Sequence, residues 1–212
     1  MIEFPLPKAA TMTLPPSDRH LDLGCGKFPR NPYGRSQLCG VDLRVLPAVD
    51  GVEFRSANVV LDPIPYADNS FSSVSAFDFI EHVPRVLMSP DGRNTVFPFI
   101  RLMNDIWRVL EPGGRFYAMT PCFPHPAAFQ DPTHVNVITT QTHLYFTGNK
   151  PLARMYGFDG AFDLLQAKWG VPKDSLVPRV FSPRQRVRRW TYQMKGRLSH
   201  FVWEFAAIKP AP

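Results

Sequence analysis

The stretch LDLGCGKFPR, residues 21–30, decides the fold. It begins as a buried strand would, with apolar residues on both sides of Asp22, and it turns at once on Gly24 and Gly26. Glycines directly after a strand let the backbone approach a ligand, and in α/β proteins such a turn holds a nucleotide or a related cofactor. The stretch therefore predicts a cofactor site at the end of the first strand.

The prolines that follow exclude two common nucleotide motifs. The dinucleotide fingerprint needs a third glycine for close packing of helix and strand, and Pro29 stands at that position. The phosphate loop is excluded because no glycine-lysine pair followed by serine or threonine is present. A cofactor without phosphate groups would tolerate both changes. Pro29 and Pro32 also predict that turns between Phe28 and Ser36 replace the first helix, with Phe28 either lining the cofactor or packing.

The rest of the chain alternates strand-like and helix-like segments. Strands are predicted over 20–24, 38–43, 52–57, 71–80, 114–120, 162–169 and 200–209. The spacing of Val96, Ile100, Met103, Trp107 and Leu110 predicts one apolar helix face, and the sequence at 111–114 ends that helix. A short helix is predicted over 139–146. This alternation favours a mostly parallel sheet, in which ligands bind beyond the carboxyl ends of the strands.

Composition indicates a globular chain with one main domain. Its 212 residues are 44% hydrophobic and 20% charged, without an apolar run long enough to span a bilayer. We expect a proline-rich arm at 1–18 and a domain at 19–212. No secretory signal is evident, and the three cysteines have no metal-ligand spacing, which favours a reduced, cytoplasmic setting.

Positive charge is concentrated late in the chain. Seven basic and no acidic side chains lie in the segment 175–203, which leaves a formal charge of −1 for the rest out of a total of +6. We expect a basic insertion at about 173–199, between the last two strands. It could bind the phosphates of nucleic acid or of an anionic lipid-linked substrate, or lie on an acidic membrane surface. The alternative is a solvated basic hairpin.

Five motifs in a fixed order carry a family resemblance. LDLGCG, GVDL, DPIPYADNSF, FIEHV and RVLEPGGRFYAMTP follow one another between residues 20 and 121. This set resembles the class I S-adenosylmethionine (SAM)-dependent methyltransferases. The resemblance implies a Rossmann-like, seven-stranded, mostly parallel α/β sheet with an antiparallel final hairpin and helices on both faces. It also implies SAM as the cofactor and an enzyme that transfers a methyl group.

The same resemblance implies roles for the residues at the strand ends. Gly24 and Gly26 let the backbone approach the methionine part of SAM, and Asp22 faces its amino group. Asp42 takes both ribose hydroxyls, unless it is only a solvated strand-end carboxylate. Asn58 is the candidate for the adenine amino group, although asparagine is also a common turn residue. The predicted cofactor-binding residues are Asp22, Gly24, Gly26, Asp42, Asn58 and Phe77.

The binding site of the methyl acceptor is predicted in the segment 123–136, directly beyond the fifth strand. A histidine there could take the proton from an attacking hydroxyl or amine, and the candidate bases are His134, His125 and His82, in that order. Asp131 is the fourth predicted catalytic residue. The alternative is that Asp131 and His134 only brace the loop through hydrogen bonds.

The same region carries residue types of two further chemistries. His125, Asp131, His134 and His143 include metal-ligand types, but nothing fixes a metal spacing, so no metal is predicted. Cys122 resembles the nucleophile of enzymes that methylate pyrimidine carbon, but a buried structural cysteine is the alternative.

The sequence thus predicts methyl transfer from SAM to a hydroxyl or amine of a small-molecule or saccharide-type acceptor. The motif FDFIEHV lacks the paired prolines of adenine and glutamine N-methyltransferases. One alternative is a nucleic-acid (RNA) methyltransferase that uses the basic segment 175–203. Another is a SAM-binding domain without catalysis.

Overall fold

The computed structural model describes residues 17–179 and 181–210. The predicted arm at 1–18 lies outside this range except for Ser17 and Asp18. The Ser17 backbone N–H donates to Glu111 Oε2 at 2.9 Å, and Asp18 accepts from the Ser36 backbone N–H at 3.1 Å.

A seven-stranded sheet forms the centre of the protein, with strand order β3-β2-β1-β4-β7-β9-β8. Its strands are β1 (Arg19–Leu23), β2 (Gln37–Asp42), β3 (Val52–Ser56), β4 (Phe71–Phe77), β7 (Leu110–Pro121), β8 (Phe162–Gly170) and β9 (His200–Ala207). A separate hairpin consists of β5 (Leu87–Met88) and β6 (Thr95–Val96). The first five strands of the large sheet are parallel, and β9 runs antiparallel to both β7 and β8. The predicted fold class is confirmed.

Among the described residues there are two α-helices, α1 (Pro98–Val109) and α2 (Pro183–Met194). Short 3-10 helices cover Ile80–His82, Pro126–Ala128, Thr142–Tyr145, Leu152–Tyr156 and Pro172–Asp174. No helix in the described ranges is both long enough and apolar enough to cross a membrane.

The buried face of helix α1 is shifted from the predicted one, and the two faces share Met103. Its buried side chains are Pro98, Phe99, Leu102, Met103, Ile106 and Val109. Of the predicted set, Ile100 and Trp107 are partly buried at the margin of this stripe, and Leu110 already begins β7. Two apolar stripes with the same helical period overlap here, so periodicity alone could not identify the stripe that faces the core.

The two faces of the sheet are covered differently. On the first face, under α1, large apolar side chains such as Trp203, Phe116 and Leu21 form the main core. On the second face, a smaller cluster of Phe77, Tyr117, Met119 and Val202 packs against Tyr33. Tyr33 belongs to the segment 24–36, which consists of turns and bends, as the prolines predicted. This segment therefore covers the second face where a first helix would lie.

A buried hydrogen-bond network lies beneath this segment. His20 Nδ1 is 2.8 Å from Ser73 Oγ, and His20 Nε2 is 2.8 Å from Ser75 Oγ. Ser75 Oγ donates to Asp22 Oδ1 at 2.6 Å. Burial lowers the pKa of His20 to about 3 and raises the pKa of Asp22 to about 7. Both side chains are thus disposed towards their uncharged forms in the folded protein.

The connection from β8 to β9, where a basic insertion is expected, contains a helix, so it is not the solvated hairpin given as the alternative. It contains the 3-10 helix Pro172–Asp174 and the helix α2, whose start is fixed by a capping box between Ser182 and Gln185. The signal was present in the sequence, since SPRQ places serine, proline and glutamine at the positions that begin a helix.

Candidate active site at the carboxyl edge of the sheet

The candidate site lies where the carboxyl ends of β1, β2 and β4 meet. The chain winds from β1 outwards to β3 and then returns to β4 on the other side of β1. Such a reversal of strand order opens a crevice at the carboxyl edge, the usual position of a ligand in an open α/β sheet.

The glycine turn after β1 needs both of its glycines. Gly24 and Gly26 have φ angles of +63° and +57°, in the region that side chains disfavour. A Cβ atom added to Gly24 would lie 2.4 Å from Phe79 Cδ2. The Gly24 and Cys25 backbone N–H groups donate to the Val41 carbonyl at 2.9 and 3.2 Å. These bonds join the turn to the end of β2.

Asp42 stands beside this turn, as predicted. Its Oδ2 accepts from the Gly26 backbone N–H at 2.9 Å, and its Oδ1 accepts from Arg44 Nε at 2.8 Å. Hydrogen bonds from the Arg44 side chain are the largest cause that lowers the pKa of Asp42 to about 2. Asp42 is 7% exposed, whereas the Arg44 side chain is 68% exposed and free to turn into solvent. The sequence analysis missed Arg44, which competes with a ligand for this carboxylate.

Asn58 lies next to Asp42, because the Ala57 backbone N–H donates to the Asp42 carbonyl at 3.0 Å. Its Oδ1 accepts from the Val60 N–H at 3.2 Å, and its carbonyl accepts from the N–H groups of Leu61 and Asp62. Asn58 therefore begins a turn, and its predicted role towards adenine stays a prediction.

Asp22 and Phe77 hold the segment 24–36 in place. Asp22 is buried, and its Oδ2 accepts from the Arg30 backbone N–H at 2.8 Å. Phe77 is buried below the Arg30 guanidinium, which lies 4.7 Å from its ring centroid. Contact of either residue with a cofactor stays a prediction. Phe79, which the sequence analysis did not single out, is the aromatic side chain that lies against Gly24.

The structure gathers three of the four predicted catalytic residues around Glu81. Glu81, His82 and His134 each offer one atom within 4.8 Å of the other two, and we call these three residues the histidine cluster. The two imidazole rings meet edge to face, with centroids 4.8 Å apart. Asp131 Oδ2 lies 4.0 Å from His134 Nε2. The 3-10 helix after β4 supplies Glu81 and His82, and the loop after β7 supplies the other two.

Glu81 is the most deeply buried member of the cluster, at 1% exposure. Its Oε2 accepts from Thr120 Oγ1 at 2.9 Å, and its Oε1 has no partner among the described residues. Burial raises the pKa of Glu81 to about 8. Without a nearby cation, this carboxyl therefore keeps its proton near neutral pH.

Thr133 connects His82 with Asp131. His82 Nδ1 lies 2.9 Å from Thr133 Oγ1 and 3.2 Å from the Thr133 carbonyl oxygen. Asp131 Oδ1 accepts from Thr133 Oγ1 at 2.6 Å and from its backbone N–H at 2.8 Å, and these bonds lower the pKa of Asp131. Asp131 thus braces the loop, which was the alternative that the sequence left open.

The fourth predicted residue, His125, stands apart from the cluster. Its Nδ1 accepts from the Ala127 N–H at 3.1 Å, so it caps the 3-10 helix Pro126–Ala128. Cys122 is fully buried, and burial raises its pKa to about 12, which opposes a role as nucleophile. His143 is buried too, with its ring centroid 5.9 Å from that of Phe201.

His200 and Asp78 form a further pair at this edge, which the sequence did not indicate. His200 Nε2 lies 3.0 Å from Asp78 Oδ1, and Asp78 has a positive φ of 48°. Because β9 runs antiparallel to β7, its first residue, His200, pairs with the last residue of β7, Pro121. An antiparallel final strand therefore brings its beginning to the same edge as the ends of the parallel strands.

A cavity of about 440 Å³ is lined by residues of helix α1 and of the segment 139–146. Arg85 lines it, together with Phe97, Ile100, Thr142, Phe146, Tyr145 and Tyr156. Arg85 Nε donates to Asn136 Oδ1 at 2.6 Å, and the Asn136 backbone N–H donates to the Glu81 carbonyl at 2.8 Å. Asn136 thus links Arg85 in the wall of the cavity to the backbone of Glu81, although the lining residues include no member of the histidine cluster.

Comparison with known proteins gives structural likeness only. No protein-family model matches the chain, and no curated protein matches it. Among solved structures, an S-adenosylmethionine-dependent methyltransferase from Mesorhizobium loti is 16% identical, with a TM-score of 0.54 over 92% of this chain and 94% of that chain.

Two other solved structures are similar to a comparable degree. One is a chain of the complex between the Trm112 methyltransferase activator of Haloferax volcanii and its methyltransferase partner, 14% identical, with a TM-score of 0.55 over 94% of this chain and 86% of that chain. The other is the cyclase SpnF, 15% identical, with a TM-score of 0.52 over 91% and 75% of the two chains. The cyclase shows that this fold alone does not determine the reaction. The chain has the fold of the class I S-adenosylmethionine-dependent methyltransferases.

Proposed function

We propose that the protein is a SAM-dependent methyltransferase that acts on a hydroxyl or amine of a small-molecule or saccharide-type acceptor. One observation carries the proposal. The glycine turn after β1 is joined to the carboxylate at the end of β2, through the 2.9 Å bond from the Gly26 N–H to Asp42 Oδ2. The glycine turn, where no side chain blocks the backbone, thus lies beside a carboxylate that can accept hydrogen bonds from sugar hydroxyls. The fold is one that methyltransferases share.

The chemistry of this junction fits SAM. Asp42, with its low pKa, is ionised at neutral pH and can accept hydrogen bonds from both ribose hydroxyls once Arg44 turns away. Hydrogen bonds to a charged group contribute about 1.5–3 kcal/mol each, so this carboxylate can dominate recognition of the nucleoside. SAM carries no phosphate, which agrees with the absence of phosphate-binding motifs in the sequence. Asn58 is our candidate for the adenine, and Asp22 acts by holding the segment 24–36 over the sheet.

SAM supplies an activated methyl group when bound, and this chain's residues then have to position the acceptor and remove its proton. The leaving thioether needs no acid, so positioning is the main requirement. His82 is the best-placed base, because Thr133 holds its Nδ1 and leaves Nε2 available to take a proton. His134 is the second candidate. His125 is the weakest of the three, since its Nδ1 serves as a helix cap.

The cavity lined by helix α1 and the segment 139–146 supports a small-molecule acceptor. Its volume of about 440 Å³ lies in the range of small-molecule pockets. Apolar and aromatic walls with the single cation of Arg85 suit an acceptor with an apolar body and a polar or anionic end.

Isothermal titration with SAM and with S-adenosylhomocysteine tests the cofactor assignment. We expect both to bind, and we expect Asp42→Asn to weaken both by about tenfold or more, since one charged hydrogen-bond acceptor is lost. Asp163→Asn, an exposed carboxylate on β8, is the matched control and should bind as the wild type does. Wild-type protein that binds neither ligand would refute the proposal.

Release of S-adenosylhomocysteine with candidate acceptors then tests catalysis. His82→Ala should keep its affinity for SAM and lose turnover. Tight SAM binding without turnover on any acceptor would favour the alternative of a SAM-binding domain without catalysis.

Helix α2 favours a second candidate function, methylation of a nucleic acid. None of its side chains is buried by the rest of the described chain, and Trp190 is 62% exposed. Several of its arginines have partners within the protein: Arg186 donates to the Phe181 carbonyl, and Arg188 to the Tyr192 hydroxyl. Arg184 and Lys195 have no such bond among the described residues, so they are the ones to test.

RNA binding that weakens steeply with salt would support this second function. Replacing Arg184 and Lys195 together by serine should then reduce the slope of log affinity against log salt by about 2. RNA binding that is absent, or that does not depend on salt, would contradict this second function.

A further inference from the structure

We propose that the histidine cluster is a binding site for one divalent transition-metal ion. The ligands would be Glu81 Oε1, His82 Nε2 and His134 Nδ1. The proposal follows from the geometry of these three side chains and does not depend on the proposed methyl transfer. It replaces the set considered from sequence, because the structure leaves His125 and His143 outside the cluster.

Each ligand residue has one atom that is bonded to a neighbour or faces it, and one that is available. Glu81 Oε2 accepts from Thr120, while its Oε1 is buried without a partner among the described residues. His134 Nε2 faces Asp131, while its Nδ1 is buried and, within the described chain, equally without a partner. His82 Nδ1 is bonded to Thr133, which leaves its Nε2.

This pattern is the one expected of a prepared metal site. Metal-binding histidines usually direct their second nitrogen to a carboxylate or a carbonyl, which fixes the tautomer and the ring orientation. Asp131 and the Thr133 carbonyl take these two positions here, at 4.0 Å from His134 Nε2 and 3.2 Å from His82 Nδ1. A buried polar atom without a hydrogen bond is unfavourable, and a cation bound by the cluster would give both Glu81 Oε1 and His134 Nδ1 a partner.

The ligand types indicate the kind of ion. Two imidazoles with one carboxylate suit zinc, cobalt, iron or manganese, whereas magnesium and calcium prefer oxygen ligands alone. Three protein ligands leave coordination positions open, as in catalytic sites. Ligand atoms within 4.8 Å of one another need only small side-chain rotations to surround an ion with bonds of about 2.1 Å.

Asn136, which bonds to the Glu81 carbonyl, links this place to Arg85 in the wall of the cavity. An ion here would lower the pKa of an acceptor hydroxyl bound to it, and the proton would pass to solvent water. In that state His82 and His134 are ligands, and neither acts as the free base.

Titration of metal-free protein with CoCl₂ and ZnCl₂ tests the site, by calorimetry and by the visible absorption of Co²⁺. We expect one ion per chain. His82→Ala and His134→Ala should each weaken binding by about 100-fold or more, since each removes a direct ligand. His125→Ala is the matched control, a histidine of the same region outside the cluster, and should bind as tightly as the wild type.

Glu81→Gln keeps the size of the buried side chain and should also weaken binding, while thermal melts show whether each variant is folded. No binding by the wild type would overturn the proposal. So would equal affinity of the wild type, His82→Ala and His134→Ala, which would mean adventitious binding elsewhere. SAM affinity measured on His82→Ala separates this result from the proposed function, since we expect that affinity to be unchanged.

Discussion

Replacing Asp22 by asparagine should change how the stability of the protein depends on pH. Asp22 is buried, and its pKa is raised to about 7 from 3.8 because burial disfavours the charged carboxylate. The folded protein therefore holds a proton that the unfolded chain releases, so the carboxyl's contribution to stability is lost as pH rises from about 4 through about 7. Asparagine at this position can still accept from the Arg30 N–H, and its amide nitrogen can donate to Ser75 Oγ, which donates to Asp22 in the wild type.

The size of the effect follows from the shift. At 1.36 kcal/mol per pKa unit, ionisation of Asp22 costs the wild type about 3 kcal/mol of unfolding free energy between pH 5 and pH 9. Urea denaturation of both proteins at these two pH values measures it. The variant should gain about 3 kcal/mol relative to the wild type from pH 5 to pH 9. Other titrating groups, His20 included, are present in both proteins and cancel in this difference to first order.

Asp163→Asn is the control, since this carboxylate is exposed on β8. If Asp22→Asn and the wild type showed the same pH dependence, the buried network would not hold Asp22 as described, and its place under the segment 24–36 would be wrong.

Three further predictions concern the packing around the site. Gly24→Ala should lower the unfolding free energy by about 2–4 kcal/mol, because the φ angle of Gly24 is positive and the new Cβ would lie 2.4 Å from Phe79. Adding Phe79→Ala in a double variant should relieve part of that loss. The three cysteines are buried, so none should react with a thiol reagent at pH 8 until urea unfolds the protein; fast reaction of the native state would contradict their burial. Tyr117→Phe should cost about 1–2 kcal/mol in denaturation, because it leaves the buried Ser175 carbonyl without its 2.9 Å bond. An unchanged free energy would mean that water replaces the hydroxyl.

The sheet and the cofactor edge were predictable because they depend on local signals. The glycine turn marks the end of β1, and Asp42 marks the end of β2. Parallel strands bring such ends together wherever the intervening chain runs. The direction of a side chain is a different matter, since Asp22 and Phe77 lie at strand ends but are turned into the second face of the sheet.

The histidine cluster was predictable only in part. His82 and His134 are far apart in the sequence, and the carboxyl-edge rule placed both near the acceptor without showing that they touch. His125 has the same residue type in the same loop, and only the backbone path shows that it caps a short helix instead. Helix α2, by contrast, has a readable local signal, because Ser182 and Gln185 stand at the positions of a capping box.

The most direct measurement is a crystal structure with S-adenosylhomocysteine bound. The account predicts both ribose hydroxyls within hydrogen-bond distance of Asp42, with Arg44 displaced and the amino-acid part of the ligand against Gly24 and Gly26. Density for the nucleoside anywhere else on the protein, with the bond between Arg44 and Asp42 intact, would contradict it.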